Sequence, residues 1–216
     1  MSEFQSTSSH SPIFKMIFLA RSFGKHALEL GNPIPESPLY FLKAPSTRIG
    51  PHDPIYLPPQ SHSVHYEAEV AFYLKKTLKN CCLEDTYDAI GEWTILNDVT
   101  ARDLQKQDQG RFSRAKNFDT FCPLSSHTLT SLDWQNAHIQ GWLNGELKQN
   151  SPLSDLLYTP FEALHQIAQV MTLNTGDLIS LGTPAGVGPL KSGDHFEVRL
   201  CDQHGLTLLT LTNPVH

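Results

Sequence analysis

The sequence predicts a mostly-β or α+β fold rather than a doubly wound one, and three observations carry that reading. Several segments alternate apolar and polar residues or concentrate β-branched and aromatic ones, the two signatures of strands. Glycine-containing turns at Asn144-Gly145 and Asp202 to Gly205 join successive strands as hairpins, where parallel sheets would need long crossovers. Helical periodicity is confined to a few short stretches.

The chain has 216 residues, of which 39% are hydrophobic, enough for one sizeable core. Residues 1–14 are polar and poor in basic residues, matching neither a secretory nor a mitochondrial signal, and are expected to form a disordered tail. Residues 15–216 are expected to form a single catalytic domain. Met16 to Ala20 is apolar but far too short to span a bilayer. His26 and Glu29 stand three apart in a segment that reads as a short helix ended by Gly31 and Pro33, so they share a face. The four prolines between Pro51 and Pro59 impose an extended surface segment.

Val64 to Leu74 and Trp93 to Val99 read as strands, followed by a short helix over Ala101 to Lys106. His138 to Leu143 is a strand that turns at Asn144-Gly145 into Glu146-Leu147-Lys148, because both turn positions tolerate positive φ. Phe161 to Thr172 is the clearest helix. Phe161, Leu164, Ile167, Ala168 and Met171 fall on one face, and Thr159, Pro160 and Glu162 supply the N-cap, the N1 proline and the capping-box acid. Asp177 to Leu181, His195 to Leu200 and Leu206 to Leu211 complete the strands.

The net charge of -6 and the absence of a dense Lys/Arg run argue against nucleic acid as a partner, and no segment suggests a membrane. Cys81 and Cys82 are adjacent while Cys122 and Cys201 stand alone. That spacing suits neither a zinc cluster nor a disulfide framework, so a cytoplasmic setting is expected.

The chemistry begins in the run from Val64 to Leu74. Strand alternation puts Tyr66, Ala68, Val70, Phe72 and Leu74 on one apolar face and Glu67 and Glu69 on the other. Two adjacent carboxylates on one face repel, and burying them requires a metal cation or basic side chains. Asp98, at the end of the next hydrophobic strand, adds a third acid. Three carboxylates are hard-ligand chemistry suited to Mg²⁺ or Mn²⁺. His65 shares the face of Glu67, so a zinc site of one His and two Glu is the alternative. The glycine-rich stretch from Gly182 to Gly188 lacks the Gly-Lys-Ser/Thr ending of a phosphate-cradling loop, which excludes that motif.

Glu67-Ala68-Glu69, Asn97-Asp98-Val99-Thr100-Ala101-Arg102-Asp103 and Leu181-Gly182-Thr183-Pro184-Ala185-Gly186-Val187-Gly188-Pro189, in that order, resemble the fumarylacetoacetate hydrolase family. The likeness is greatest to its short, single-domain acylpyruvase and oxaloacetate decarboxylase branch. The resemblance implies a mixed β-roll of packed sheets with few short helices, Mg²⁺ or Mn²⁺ as cofactor, a small oxo-acid substrate and a homodimer. It makes Glu67, Glu69 and Asp98 the metal ligands and Lys116 a lysine facing the site. It also assigns Gln105 to substrate contact, Thr183 to the substrate carboxylate, and Arg21 and Lys43 to basic positions around the pocket. The segment holding His26 and Glu29 resembles the family's lid, whose His-Glu dyad orients a water molecule.

Departures fall at Ala20, Ser22, Ala44 and Ala185 and in a shortened loop from Lys106 to Arg114, all at the lid base or pocket rim, so they bear on the substrate more than on the metal. The expected reaction is hydrolysis of a carbon-carbon bond in acylpyruvates through a pyruvate enolate, with His26 and Glu29 activating water. Oxaloacetate decarboxylation, keto-enol tautomerisation, or hydration or isomerisation of a dicarboxylic oxo-acid are the alternatives on the same scaffold. A metal-binding protein without catalysis is the non-enzymatic one.

Overall fold

The computed structural model describes residues 15–24 and 36–216. The tail expected over residues 1–14 and the helix expected around His26 and Glu29 lie outside the described residues.

Along the chain come β1 (Met16–Ala20), β2 (Leu39–Lys43), β3 (Arg48–Ile49), β4 (Val64–Tyr66), β5 (Ala68–Leu74), β6 (Ile90–Asn97) and β7 (Thr100–Ala101). Helices α1 (Arg102–Gln107) and α2 (Ser113–Lys116) follow, then β8 (Cys122–Pro123), β9 (His138–Leu143), β10 (Glu146–Pro152) and helix α3 (Pro160–Val170). The chain closes with β11 (Leu178–Ser180), β12 (Gly188–Pro189), β13 (His195–Cys201) and β14 (Thr207–Pro214). Strands dominate, and the helices are few and short, as the sequence predicts.

A five-stranded mixed sheet has the order β2-β1-β11-β5-β6, with only the β1–β11 pair parallel. A four-stranded antiparallel sheet has the order β10-β9-β13-β14. Their facing side chains form the main core: Ala68, Val70, Phe72 and Leu74 of β5 meet Ile139 of β9 and Phe196, Val198 and Leu200 of β13. Tyr66 stacks on Phe196 with centroids 4.4 Å apart. A second cluster, including Met16, Phe18, Ala71, Tyr73 and Leu96, covers the other face of the larger sheet. Every residue of β5 is therefore buried. Full burial of a side chain such as Phe72 contributes roughly 1.5–3 kcal/mol.

α3 starts with both capping-box bonds: Glu162 N donates to Thr159 Oγ1, and Thr159 N donates to Glu162 Oε2. Its apolar face of Ala163, Leu164, Ile167 and Ala168 joins the main core. It ends at Val170, slightly short of the expected Thr172.

One expected strand is corrected. Val64 to Leu74 is not continuous but divides at Glu67 into β4, which pairs with β7 and β12, and β5, which pairs with β6 and β11. The ladder is interrupted by side chains: Glu67 N donates to Asn97 Oδ1 and Ala68 N to Gln149 Oε1. β1 and β2 have no counterpart among the expected strands; β1 is buried on both faces and so loses the alternation that would reveal it, while β2 is an edge strand that leaves Leu39 and Leu42 exposed. Among the described residues, no helix is long and apolar enough to cross a membrane.

Candidate active site

The division between β4 and β5 places Glu67 at a sheet junction, and Asp98 sits immediately beyond β6. The two are tied through the backbone, with Asp98 N donating to Glu67 O at 2.9 Å. Glu69 lies on β5 opposite Leu96 of β6. All three acids are buried, and carboxylate oxygens from the three lie within 4.8 Å of one another. Residues remote in sequence are thus gathered by strand pairing alone.

Three cations answer the three acids. Lys116, the last residue of α2, is 2% exposed; its Nζ donates to Glu67 Oε2 at 2.7 Å and to Asp98 Oδ2. Lys43, at the end of β2, donates to Asp98 Oδ1 at 2.6 Å and to Phe121 O at 2.8 Å. Arg102, at the start of α1, donates to Glu67 Oε1 through Nη2 and to Gln105 Oε1 through Nη1. Burial alone would lower the Lys116 pKa, but the charges of Asp98 and Glu67 outweigh it and hold the ammonium above its usual range. Glu69 is less well compensated. Its carboxyl is held well above the usual range by burial and by repulsion from Asp98 and Glu67, although Lys116 and the Ser180 hydroxyl pull the other way.

The donor set fits a hard divalent cation. An octahedral Mg²⁺ with oxygens at about 2.1 Å holds them roughly 3–4.2 Å apart, near the spacing already present. Glu69, repelled by both neighbouring acids, gains most from such a charge. Among the described residues this is the one cluster of three potential ligands, and His65 is not in it. The His65 ring instead lies 3.2 Å from Ser63 Oγ through Nε2, outside the cluster that a site of one His and two Glu would need.

The acids open into a cavity of about 590 Å³. Arg21, Gln105, Lys116 and Thr183 line it, together with Arg102 and Lys106. Arg21 is held at φ 54°, a left-handed backbone rarely adopted by a residue with a side chain and a frequent mark of functional positions. Thr183 Oγ1 donates to Ala68 O at 3.0 Å. Lys43 is not among the residues lining the cavity; its buried amine bonds to Asp98 Oδ1. His26 and Glu29 lie outside the described residues.

The sequence reading missed Arg102, Lys106, Ser180 and Gln149. Arg102, Gln105 and Lys106 at i, i+3 and i+4 share one helical face, so a sequence signal existed for the first two of these. Ser180 and Gln149 carried none, since both arrive from distant strands.

The family described as fumarylacetoacetate (FAA) hydrolase C-terminal matches residues 15–216. An uncharacterised protein of Methanocaldococcus jannaschii is 43% identical over 195 residues, covering 90% of this chain and 81% of its own length. The oxaloacetate tautomerase YcgM of Escherichia coli is 32% identical over 206 residues, covering 93% of this chain and 94% of its own. The crystal structure of 5-carboxymethyl-2-hydroxymuconate delta-isomerase from Mycobacterium smegmatis superposes with a TM-score of 0.83 at 39% identity, covering 94% of this chain and 78% of that one. With its whole described fold and its acidic cluster inside the matched span, the chain belongs to the fumarylacetoacetate hydrolase family.

Proposed function

We propose that the protein is a Mg²⁺- or Mn²⁺-dependent enzyme that interconverts the keto and enol forms of oxaloacetate or a closely similar dicarboxylic 2-oxo acid. The observation that carries this reading is the buried Glu67, Glu69 and Asp98 cluster, bonded to Lys116 and Arg102, at a cavity that also exposes Arg21 and Lys106. Neither Arg21 nor Lys106 pairs with a carboxylate among the described residues. The tautomerase name of the Escherichia coli relative and the isomerase name of the Mycobacterium smegmatis neighbour support enolisation as the reaction class.

Glu67, Glu69 and Asp98 would hold the metal ion, which when bound supplies a Lewis acid for negative charge on the 2-oxo oxygen. Enolisation releases the C3 proton to a water molecule in the cavity, moves the C3–H electron pair into a C2–C3 double bond and leaves the negative charge on the 2-oxo oxygen, which takes a proton back from water to give the enol. Lys116, held cationic by Asp98 and Glu67, adds a fixed positive charge beside the developing one, the arrangement that lowers such a barrier most. Arg102 and Gln105, already bonded to each other, present donors to the substrate carboxylate, as does Thr183. Arg21 and Lys106 would meet the second carboxylate. The stacked rings of Phe41 and Phe112, 4.4 Å apart, form an apolar wall that limits water.

Hydrolysis of acylpyruvates is the second reading, and the spacing of His26 and Glu29 favours it by supplying a pair that could activate water. The test measures both reactions in metal-stripped protein before and after adding Mg²⁺ or Mn²⁺. Turnover of oxaloacetate that needs the metal and disappears in Glu69→Ala is expected. His26→Ala should reduce acylpyruvate cleavage by ~10²–10⁴-fold while sparing tautomerisation. Absence of both reactions with either metal would overturn the proposal in favour of a metal-binding protein without catalysis. A homodimer and a cytoplasmic setting are proposed with it; the four cysteines are free thiols, which suits the latter.

A further inference from the structure

Gln149 belongs to β10, in the sheet opposite the acidic cluster, and its side chain is fully buried. Its carboxamide reaches the site from across the core. Oε1 accepts from Ala68 N at 2.9 Å, while Nε2 donates to Thr183 Oγ1 at 2.8 Å and to Pro184 O at 2.9 Å. The orientation is fixed by its partners: a backbone N–H can only donate and a carbonyl can only accept, so the amide cannot be flipped. Both protons on Nε2 are therefore committed, and Thr183 Oγ1 must accept one of them. The hydroxyl's own proton goes to Ala68 O, closing a ring through Gln149, Ala68 and Thr183.

The surroundings are shaped to this side chain. Gly141 pairs directly with Gln149 across the β9–β10 ladder, and a Cβ there would stand 2.9 Å from Gln149 Oε1. A Cβ on Gly186 would collide with Lys148 O at 2.2 Å and touch Gln149 Cγ at 3.4 Å. A register shift between Leu147 and Gln149 sets the strand for this reach.

We propose that Gln149 is a positioning residue for substrate binding, registering the Thr183 hydroxyl against the backbone between Glu67 and Glu69. The inference rests on the reading of Thr183 as a substrate contact. When a substrate carboxylate arrives, the hydroxyl proton can turn from Ala68 O to the ligand while Nε2 holds the oxygen in place. Only a proton moves, and the side chain stays fixed.

The test uses Gln149→Met, which keeps length and volume but removes both hydrogen-bonding ends. The expected result is a rise of about 10-fold or more in KM for oxaloacetate with kcat changed much less, the size set by leaving buried polar groups unpaired. Oxalate, a stable mimic of the pyruvate enol, should lose affinity by a similar factor in calorimetry with Mg²⁺ present. In a Thr183→Val background the same substitution should change oxalate affinity by less than about 2-fold, because the coupled partner is already gone. A merely structural role would give equal losses in both backgrounds and overturn the proposal, as would unchanged KM and oxalate affinity in folded Gln149→Met. Should Gln149→Met fail to fold, Gly141→Ala, whose Cβ would press on the carboxamide oxygen and also on Phe196 and Ala68, is read by the same two measurements in both backgrounds, a loss equal in the two being the structural result that overturns the proposal. If the unmodified protein neither turns over oxaloacetate nor binds oxalate with Mg²⁺, the proposed function fails; if it does both and the variants match it, this inference alone fails.

Discussion

Replacing Glu69 by Gln should make the metal-free protein more stable at alkaline pH and deprive it of stabilisation by metal. Glu69 is 1% exposed, and burial, then Asp98 and Glu67, raise its carboxyl well above the usual 4.5. A raised folded pKa means that the folded state binds more protons than the unfolded one. The stability contributed by protonated Glu69 is therefore complete below 4.5 and is lost as pH rises through the folded value. Each unit of elevation corresponds to about 1.4 kcal/mol, which in a domain of this size moves the unfolding midpoint by roughly 3–6 °C. Gln removes the charge yet keeps an oxygen that can accept from Ser180 Oγ. Thermal unfolding in chelator should thus place Glu69→Gln above the unmodified protein at about pH 8, with the gap shrinking toward about pH 5. In excess Mg²⁺ the order should reverse, since the unmodified protein keeps three anionic ligands and the variant only two. A variant destabilised in chelator by the same amount at both pH values would refute the reasoning, showing that the ionised carboxylate is already fully compensated.

Lys106→Glu should discriminate by substrate charge. Lys106 lines the cavity one helical turn beyond Arg102, so kcat/KM for a dicarboxylic 2-oxo acid should fall by about 10-fold or more, while a monocarboxylic analogue is affected far less. Equal losses for both would remove Lys106 from substrate recognition. Thr159→Ala should remove half of the α3 capping box, costing about 1 kcal/mol and lowering the unfolding midpoint by roughly 2–4 °C without altering KM. A change in KM with no loss of stability would contradict a purely helical role.

Much of the architecture follows from local physics. The capping box of α3 needs only Thr159, Pro160 and Glu162 in sequence, and β9, β13 and β14 reveal themselves through alternation because one of their faces is less deeply covered. The Asn144-Gly145 hairpin is similarly local: both residues adopt positive φ, at 52° and 81°. The acids were legible too. Glu67 and Glu69 inside an apolar strand, with Asp98 ending another, announce a buried charge cluster whatever holds it.

Local patterning alone is enough for the strand-rich class, the helix with its cap, and the acidic residues that burial would force to find a counter-charge. The break at Glu67, the bond of Lys43 to Asp98 and the reach of Gln149 to Ala68 and Thr183 come from packing in three dimensions. Those outcomes depend on which strands become neighbours. Gln149 and Ala68 are 81 positions apart, and Ser180 and Glu69 are 111. No periodicity encodes such pairs, because their contact exists only once two sheets have packed and the register of each strand is fixed.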